Sequence, residues 1–291
     1  MRLLAILIGL WAHQFTEHLD AYRGANRISN YIGWIRRRAV HLHVWDGPLG
    51  LALVVGLPTL VLALVQYGVA GWLLGLVDAA LGVAVLLFCF GAGGLDERIA
   101  SFLDAWEQNR LDEARSIAVE LNAEPEDSTP ASDLPWLLVR GLLVQSYERI
   151  LGPVFWFAVL GPFGALLFRL SYALRDHVVV NEQDQPRLTR SALVWAHLVG
   201  WLPARAAALA FGLAGSFVDA LRGWESVAGA SRGANRVSLV GAGFGALGME
   251  DRNAPRESVR EFVHDARALV TRTLMIWAAV IAFLTLAGWL A

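Results

Sequence analysis

Residues 48–66 run without a single charged side chain, and neighbouring stretches come close to doing the same. No other feature limits the fold so strongly. A hydrocarbon layer of roughly 30 Å needs about 20 apolar residues per crossing helix. Apolar segments recur at about 2–16, 48–66, 69–90, 151–174, 191–219 and 269–291. In lipid every backbone polar group must be satisfied within the segment, which leaves helices as the economical solution. The expected fold is therefore all-α: a polytopic helical membrane protein with about 5–6 membrane segments.

Composition agrees. Of 291 residues, 56% are hydrophobic and 17% charged, where soluble domains carry about 25% charge. The 12 Trp suit two water–lipid interfaces. All 24 cationic residues are Arg, the net charge is −2, and no basic domain stands out. The bilayer is the expected partner; nucleic acid is not. Cys89 is the single cysteine, so no intramolecular disulfide forms, and its apolar neighbours make it a packing residue. Arg2 followed by Leu3–Leu10 resembles a signal-peptide start. Polar His13 and Gln14 follow with no small-residue cleavage site, so an uncleaved first helix is expected.

Arginines set the expected orientation, because positive loops stay cytoplasmic. Loop 17–47 carries Arg23, Arg27, Arg36, Arg37 and Arg38, and loops 91–150 and 220–268 are similarly rich. Tyr67-Gly68 leaves only a tight hairpin tip, without Arg, between the second and third segments. The link 175–190 holds Arg175, Arg187 and Arg190. The three large loops are thus placed on the cytoplasmic face of a bacterial inner membrane. Within 91–150, Ile99, Phe102, Leu103, Trp106, Leu111, Ala114, Ile117, Ala118 and Leu121 recur at near-helical spacing among carboxylates. That pattern predicts amphipathic cytoplasmic helices. A further helix is expected from Trp136 towards Ile150.

Ionisable groups inside apolar segments mark interior sites or structural pairs. Asp78, Arg169, His197 and Arg205 are the four candidates. Arg205 follows Trp201-Leu202-Pro203-Ala204, where the proline is expected to break the backbone ladder and expose polar groups. Gly152-Pro153 and Gly161-Pro162 place two helix breakers in one segment, which predicts a kinked or partly re-entrant helix. Gly243-Phe244-Gly245-Ala246-Leu247-Gly248 matches GxGxxG spacing, but no strand–helix unit surrounds it. Close helix packing is the better reading. His41 and His43, like His13 and His18, do not share a helix face, so no metal set is expected, nor any nucleophilic triad. Arg23-Gly24-Ala25-Asn26-Arg27-Ile28-Ser29 recurs as Arg232-Gly233-Ala234-Asn235-Arg236-Val237-Ser238. Arg23, Arg27, Arg232 and Arg236 are candidates for holding an anionic head group or phosphate.

Leu151-Gly152-Pro153-Val154-Phe155-Trp156 with Leu160-Gly161-Pro162, Gly200-Trp201-Leu202-Pro203-Ala204-Arg205, and Asn109-Arg110-Leu111-Asp112-Glu113-Ala114-Arg115 carry a family likeness. Across almost the whole chain, the order of segments resembles the AmpE family and, more distantly, the CobD/CbiB adenosylcobinamide-phosphate synthases. The likeness implies one membrane domain, 1–291, acting as an inner-membrane regulatory or sensory protein without catalysis. It further implies a link to β-lactamase induction, peptidoglycan recycling and the amidase AmpD. The synthases carry Glu-Asn, Asp-Gly and Asn-Thr-Leu-Asp-like stretches. This chain reads Gln145-Ser146-Tyr147-Glu148-Arg149-Ile150 and Ser171-Tyr172-Ala173-Leu174-Arg175-Asp176 instead. Mg²⁺ and ATP would be cofactors only under the synthase alternative, an ATP-dependent amide ligation. Glu148, Arg149, Arg169, Asp176 and Arg205 are the expected ligand-binding residues, for a nucleotide or another anionic ligand.

Overall fold

A computed structural model of the chain describes residues 5–6, 8–9, 24–39, 45, 47–69, 76–90, 94–122, 129–181, 186–227, 234–248 and 258–288. Every regular element among them is helical. In chain order these are α1 (Gly24–Ala39), α2 (48–69), α3 (Leu76–Phe90), α4 (Leu95–Glu107), α5 (Leu111–Asn122) and α6 (Leu134–Ser146). Then follow α7 (Gly152–Leu160), α8 (Pro162–Asn181), α9 (Pro186–Ala214), α10 (Phe217–Val227), α11 (Ala234–Ala246) and α12 (Val259–Leu286). Short π-helical turns, Ala52–Gly56 and Tyr147–Leu151, lie within α2 and before α7.

Four candidate spans are long and apolar enough to cross a membrane: Pro48–Gly68, Val77–Glu107 (which takes in residues 91–93, outside the described ones), Pro186–Ala214 and Val259–Leu286. The 5–6 segments expected from the sequence differ from this for identifiable reasons. Segment 2–16 falls largely outside the described residues. Segment 151–174 is two helices, because Gly161 takes φ 73° and Pro162 restarts the chain as α8. A positive φ at this point is tolerated by glycine and ends α7. The earlier Gly152-Pro153 pair does not break the helix. Leu151 keeps right-handed helical dihedrals, and Pro153 falls just after the π-helical turn.

The chain divides into two compact units, one drawn from Met1–Gly93, Glu148–Pro203 and Ala278–Ala291, the other from Gly94–Tyr147 and Ala204–Trp277. In the first, α8 packs against α1, α2, α3 and α7. The sequence predicts a basic loop at 17–47; the structure forms α1 inside it. Ile28, Ile32 and Ile35 sit at i, i+4 and i+7 and are buried with Val54, Val55, Leu170, Leu174 and Val178. Arg36, Arg37 and Arg38 occupy the last turn of α1, where cations complement the helix dipole. Pro58 has no N–H to give the Val54 carbonyl four residues back. The Tyr31 hydroxyl donates to that carbonyl at 3.4 Å, and burial pushes its phenol up to about 12.

In the second unit the expected amphipathic pattern is present. Ile99, Phe102, Leu103, Ala114, Ala118 and Leu121 are buried along α4 and α5. Asn109, at φ 56°, turns the chain between them. Asn is the residue after Gly that best tolerates this conformation. Arg98 pairs with Glu120 at 2.9 Å. Asn122 donates to the Ala118 and Leu137 carbonyls, both at 2.8 Å, which satisfies a buried amide. Trp136 of α6 meets Phe244 of α11 and Phe262 of α12 at ring separations of 4.7 and 5.6 Å.

The expected glycine packing of 243–248 is present too. A Cβ on Gly245 would overlap the Asp219 carbonyl, and Gly223 and Gly241 face each other's backbone across the α10–α11 pair. Gly243 abuts Leu143, while Gly248 takes φ 70° at the helix end. The GxGxxG spacing is therefore helix-to-helix contact and a helix stop.

Candidate functional site

Three of the expected site residues, Glu148, Arg149 and Asp176, come from two neighbouring stretches of the first unit, the π-helical turn Tyr147–Leu151 and α8. Their geometry starts from Gly152. A Cβ there would overlap the Phe168 ring, so glycine admits that ring against the start of α7. Phe168 stacks on Tyr172 at 4.5 Å and 26°. Arg175 then lies over the Tyr172 ring, its Cζ 4.5 Å from the centroid. Phe168, Tyr172 and Arg175 follow i, i+4, i+7 spacing, so one face of α8 carries a column of two rings and a guanidinium.

Arg175 Nη2 donates to Glu148 Oε1 at 3.1 Å and to Asp176 Oδ1 at 2.6 Å. Its Nε donates to the same Asp176 oxygen at 3.1 Å. The side chains of Glu148, Arg175 and Asp176 are 4%, 12% and 37% exposed. One guanidinium thus bridges two carboxylates. Burial would be costly for Glu148 without such a cation. Asp176 is the more open of the two carboxylates. The cluster is less suited to an incoming anion, because its cation already faces two carboxylates.

Sequence reasoning counted Arg175 only as a cation of the 175–190 link and so missed its place at the centre. The link is shorter than expected, because α8 continues to Asn181 and α9 begins at Pro186. Arg175 is consequently inside a helix. The available signal was its spacing from Phe168 and Tyr172. Ser171 and Trp195 were missed as well. Trp195 Nε1 donates to Ser171 Oγ at 2.9 Å, and Ser171 Oγ donates to the Leu167 carbonyl at 2.6 Å.

The remaining expected residues are placed as follows. Arg149 is half-buried in the same π-helical turn as Glu148. Arg169 is half-buried on α8, and its Nε is buried without a hydrogen-bond partner. Arg205 lies in the second unit, on α9. The broken helix expected there is corrected, since α9 runs through Pro203 without interruption. Pro203 cannot donate to the Val199 carbonyl. Trp156 Nε1 does so instead, at 3.0 Å. The tryptophan of the Gly152–Trp156 motif thus meets the α9 carbonyl that Pro203 leaves without its backbone donor. Asp78 is not mid-helix as the sequence suggested. It lies in the first turn of α3, where a carboxylate complements the helix dipole. Arg23 and Arg232 lie outside the described residues, as does the side chain of Arg27. Arg236 is half-buried on α11 in the second unit.

A family model described as "Regulatory signalling modulator protein AmpE" matches residues 5–291. The chain is similar to a protein named "Cobalamin biosynthesis protein CobD" from Chromobacterium violaceum, 24% identical over 242 residues, 77% of this chain and 78% of that one. A protein of the same name from Stutzerimonas stutzeri is 26% identical over 244 residues, 79% of this chain and 80% of its own length. No solved structure matches the chain significantly.

Proposed function

We propose a regulatory role from the premise that this chain belongs to the AmpE family, whose model covers residues 5–291. In this reading it is an integral inner-membrane regulatory or sensory protein, linked to β-lactamase induction and peptidoglycan recycling, and it works alongside the amidase AmpD without catalysing a reaction. Residues 1–291 act as one functional domain, as the unbroken family match supports. The large loops face the cytoplasm, a reading supported by the exposed Arg36, Arg37 and Arg38 that close α1.

The observation that carries the non-catalytic reading is the Arg175 bridge. A Mg²⁺–nucleotide site needs several carboxylate or amide oxygens turned to the ion. Glu148 and Asp176 instead share one guanidinium. These residues do not fit Mg²⁺ and ATP. Ligand sensing is assigned to Glu148, Arg149, Arg169 and Asp176 in one unit and Arg205 in the other, with Arg23, Arg27, Arg232 and Arg236 meeting anionic groups. Deleting the gene and measuring β-lactamase induction tests the role. Altered induction is expected, and an unchanged response rejects it.

The printed names of the two relatives favour a second reading, a CobD-like ATP-dependent amide ligase. Purified protein supplied with Mg²⁺, ATP, cobyric acid and aminopropanol phosphate decides it. Formation of the amide product would replace the regulatory reading.

A further inference from the structure

Only Gly215 and Ser216 separate helix α10 from the end of the candidate span α9. It has 11 residues, about 16 Å at 1.5 Å per residue, and is too short to cross a bilayer. Its three faces differ sharply. Ala220 and Gly223 pack on α11, where Gly223 and Gly241 bring the two backbones into contact. Asp219, Arg222, Glu225 and Ser226 form a polar face, with Arg222 Nη1 donating to Asp219 Oδ1 at 3.0 Å. Phe217 and Leu221 lie on the third, at i and i+4, and Val218 borders it two turns before exposed Glu225. These three are 48%, 42% and 58% exposed in the order Phe217, Leu221, Val218.

This apolar face is continuous with the outer side of α9. Leu209 and Leu213 there are 47% and 66% exposed. Gly212 lacks a side chain, and Phe217 fits against it, its Cδ2 3.0 Å from where a Cβ would stand. The turn between the helices is built rather than loose. Ser216 N donates to the Ala246 carbonyl at 3.0 Å, and Ser216 Oγ donates to Asp219 Oδ2 at 2.5 Å. The exposed face of α10 thus starts where the exposed leucines of α9 stop, and its direction is fixed by α11.

We infer that α10 lies in the plane of the membrane interface, with Phe217, Val218 and Leu221 seated at the acyl-chain boundary of a lipid bilayer. A short helix with one apolar face and one charged face takes this position when its apolar side is otherwise uncovered. The charged groups Asp219, Arg222 and Glu225 then stay on the water side. The inference rests on the membrane reading of α9 and α12, and its test must separate the two.

The full chain is reconstituted in phosphatidylcholine–phosphatidylglycerol vesicles after spin-labelling Phe217→Cys, Leu221→Cys, Ser226→Cys and, on α12, Phe283→Cys. Cys89 is buried, and unsubstituted protein gives the labelling blank. Collisions with oxygen report the acyl region, and collisions with a nickel chelate report water. The expected result is an oxygen-to-nickel ratio at 217 and 221 severalfold above that at 226 and close to that at 283. A nickel-dominated signal at 217 and 221, with 283 still oxygen-dominated, overturns the inference while the spans stand. Shielding of 217 and 221 from both reagents, with 283 unchanged, also overturns it and assigns the face to a protein partner or a second copy. A nickel-dominated signal at 283 overturns the membrane premise itself.

Discussion

Arg175, in the first unit, is 12% exposed between two carboxylates, one of them 4% exposed. The second unit pairs Arg98, Arg260 and Arg267 with Glu120, Glu107 and Asp96, and those arginines are 37%, 60% and 43% exposed. Both units use arginine–carboxylate pairs, yet the pairs cannot be doing the same thing. Exposed pairs are screened and contribute about 0–1 kcal/mol. A buried pair gains little over an apolar replacement, but losing one partner costs about 3–5 kcal/mol. The first unit therefore depends on charges that must stay matched. The second obtains its specificity where atoms can approach most closely, at Gly223, Gly241 and Gly245, and leaves these three pairs exposed. Buried polarity makes the first unit the better place for a site whose state changes with a bound group.

The largest expected effect is at Arg175. Arg175→Met is expected to destabilise by about 3–5 kcal/mol, because it removes the guanidinium facing buried Glu148. Adding Glu148→Leu should recover most of the loss. Unfolding in mixed micelles measures both, and failure of the double substitution to recover would break the contrast drawn between the units. Next comes Gly245→Val, where the new side chain would overlap the Asp219 carbonyl. A loss of about 1–3 kcal/mol is expected in the same assay, as for other overpacked contacts.

A smaller effect is expected at Trp156. Trp156→Phe keeps the ring and removes the donor to Val199, for a cost of about 1–3 kcal/mol from the unmet carbonyl. The smallest is Arg260→Gln, which loses an exposed pair with Glu107 and should cost at most about 1 kcal/mol. A larger loss at Arg260 than at Arg175 would reverse the comparison.

The helical architecture was legible because its signals are local. Runs such as 48–66 need only length and apolarity, and the stripe from Ile99 to Leu121 needs only helical period. Position within an element was less so. Asp78 looked interior until the start of α3 at Leu76 placed it in a first turn. Pro203 looked like a break because the compensating donor, Trp156, lies far away in sequence. The site followed the same rule. Glu148 and Asp176 could be proposed from their stretches, but Arg175 acquired its role only once α8 ran on to Asn181 and brought its guanidinium to Glu148. Charges that match across 27 positions leave no local pattern to read.

The bond from Trp156 to Val199 has a mechanical consequence. A backbone rung belongs to one helix and lets that helix spin on its axis without penalty to its neighbours. This rung has its donor on α7 and its acceptor on α9, so it acts as a key in a slot. Turning this part of α9 against α7 would shear the bond, while moving the two together would leave it intact. Whatever displacement reaches this unit, α7 and the Val199 turn of α9 are geared to carry it as one piece.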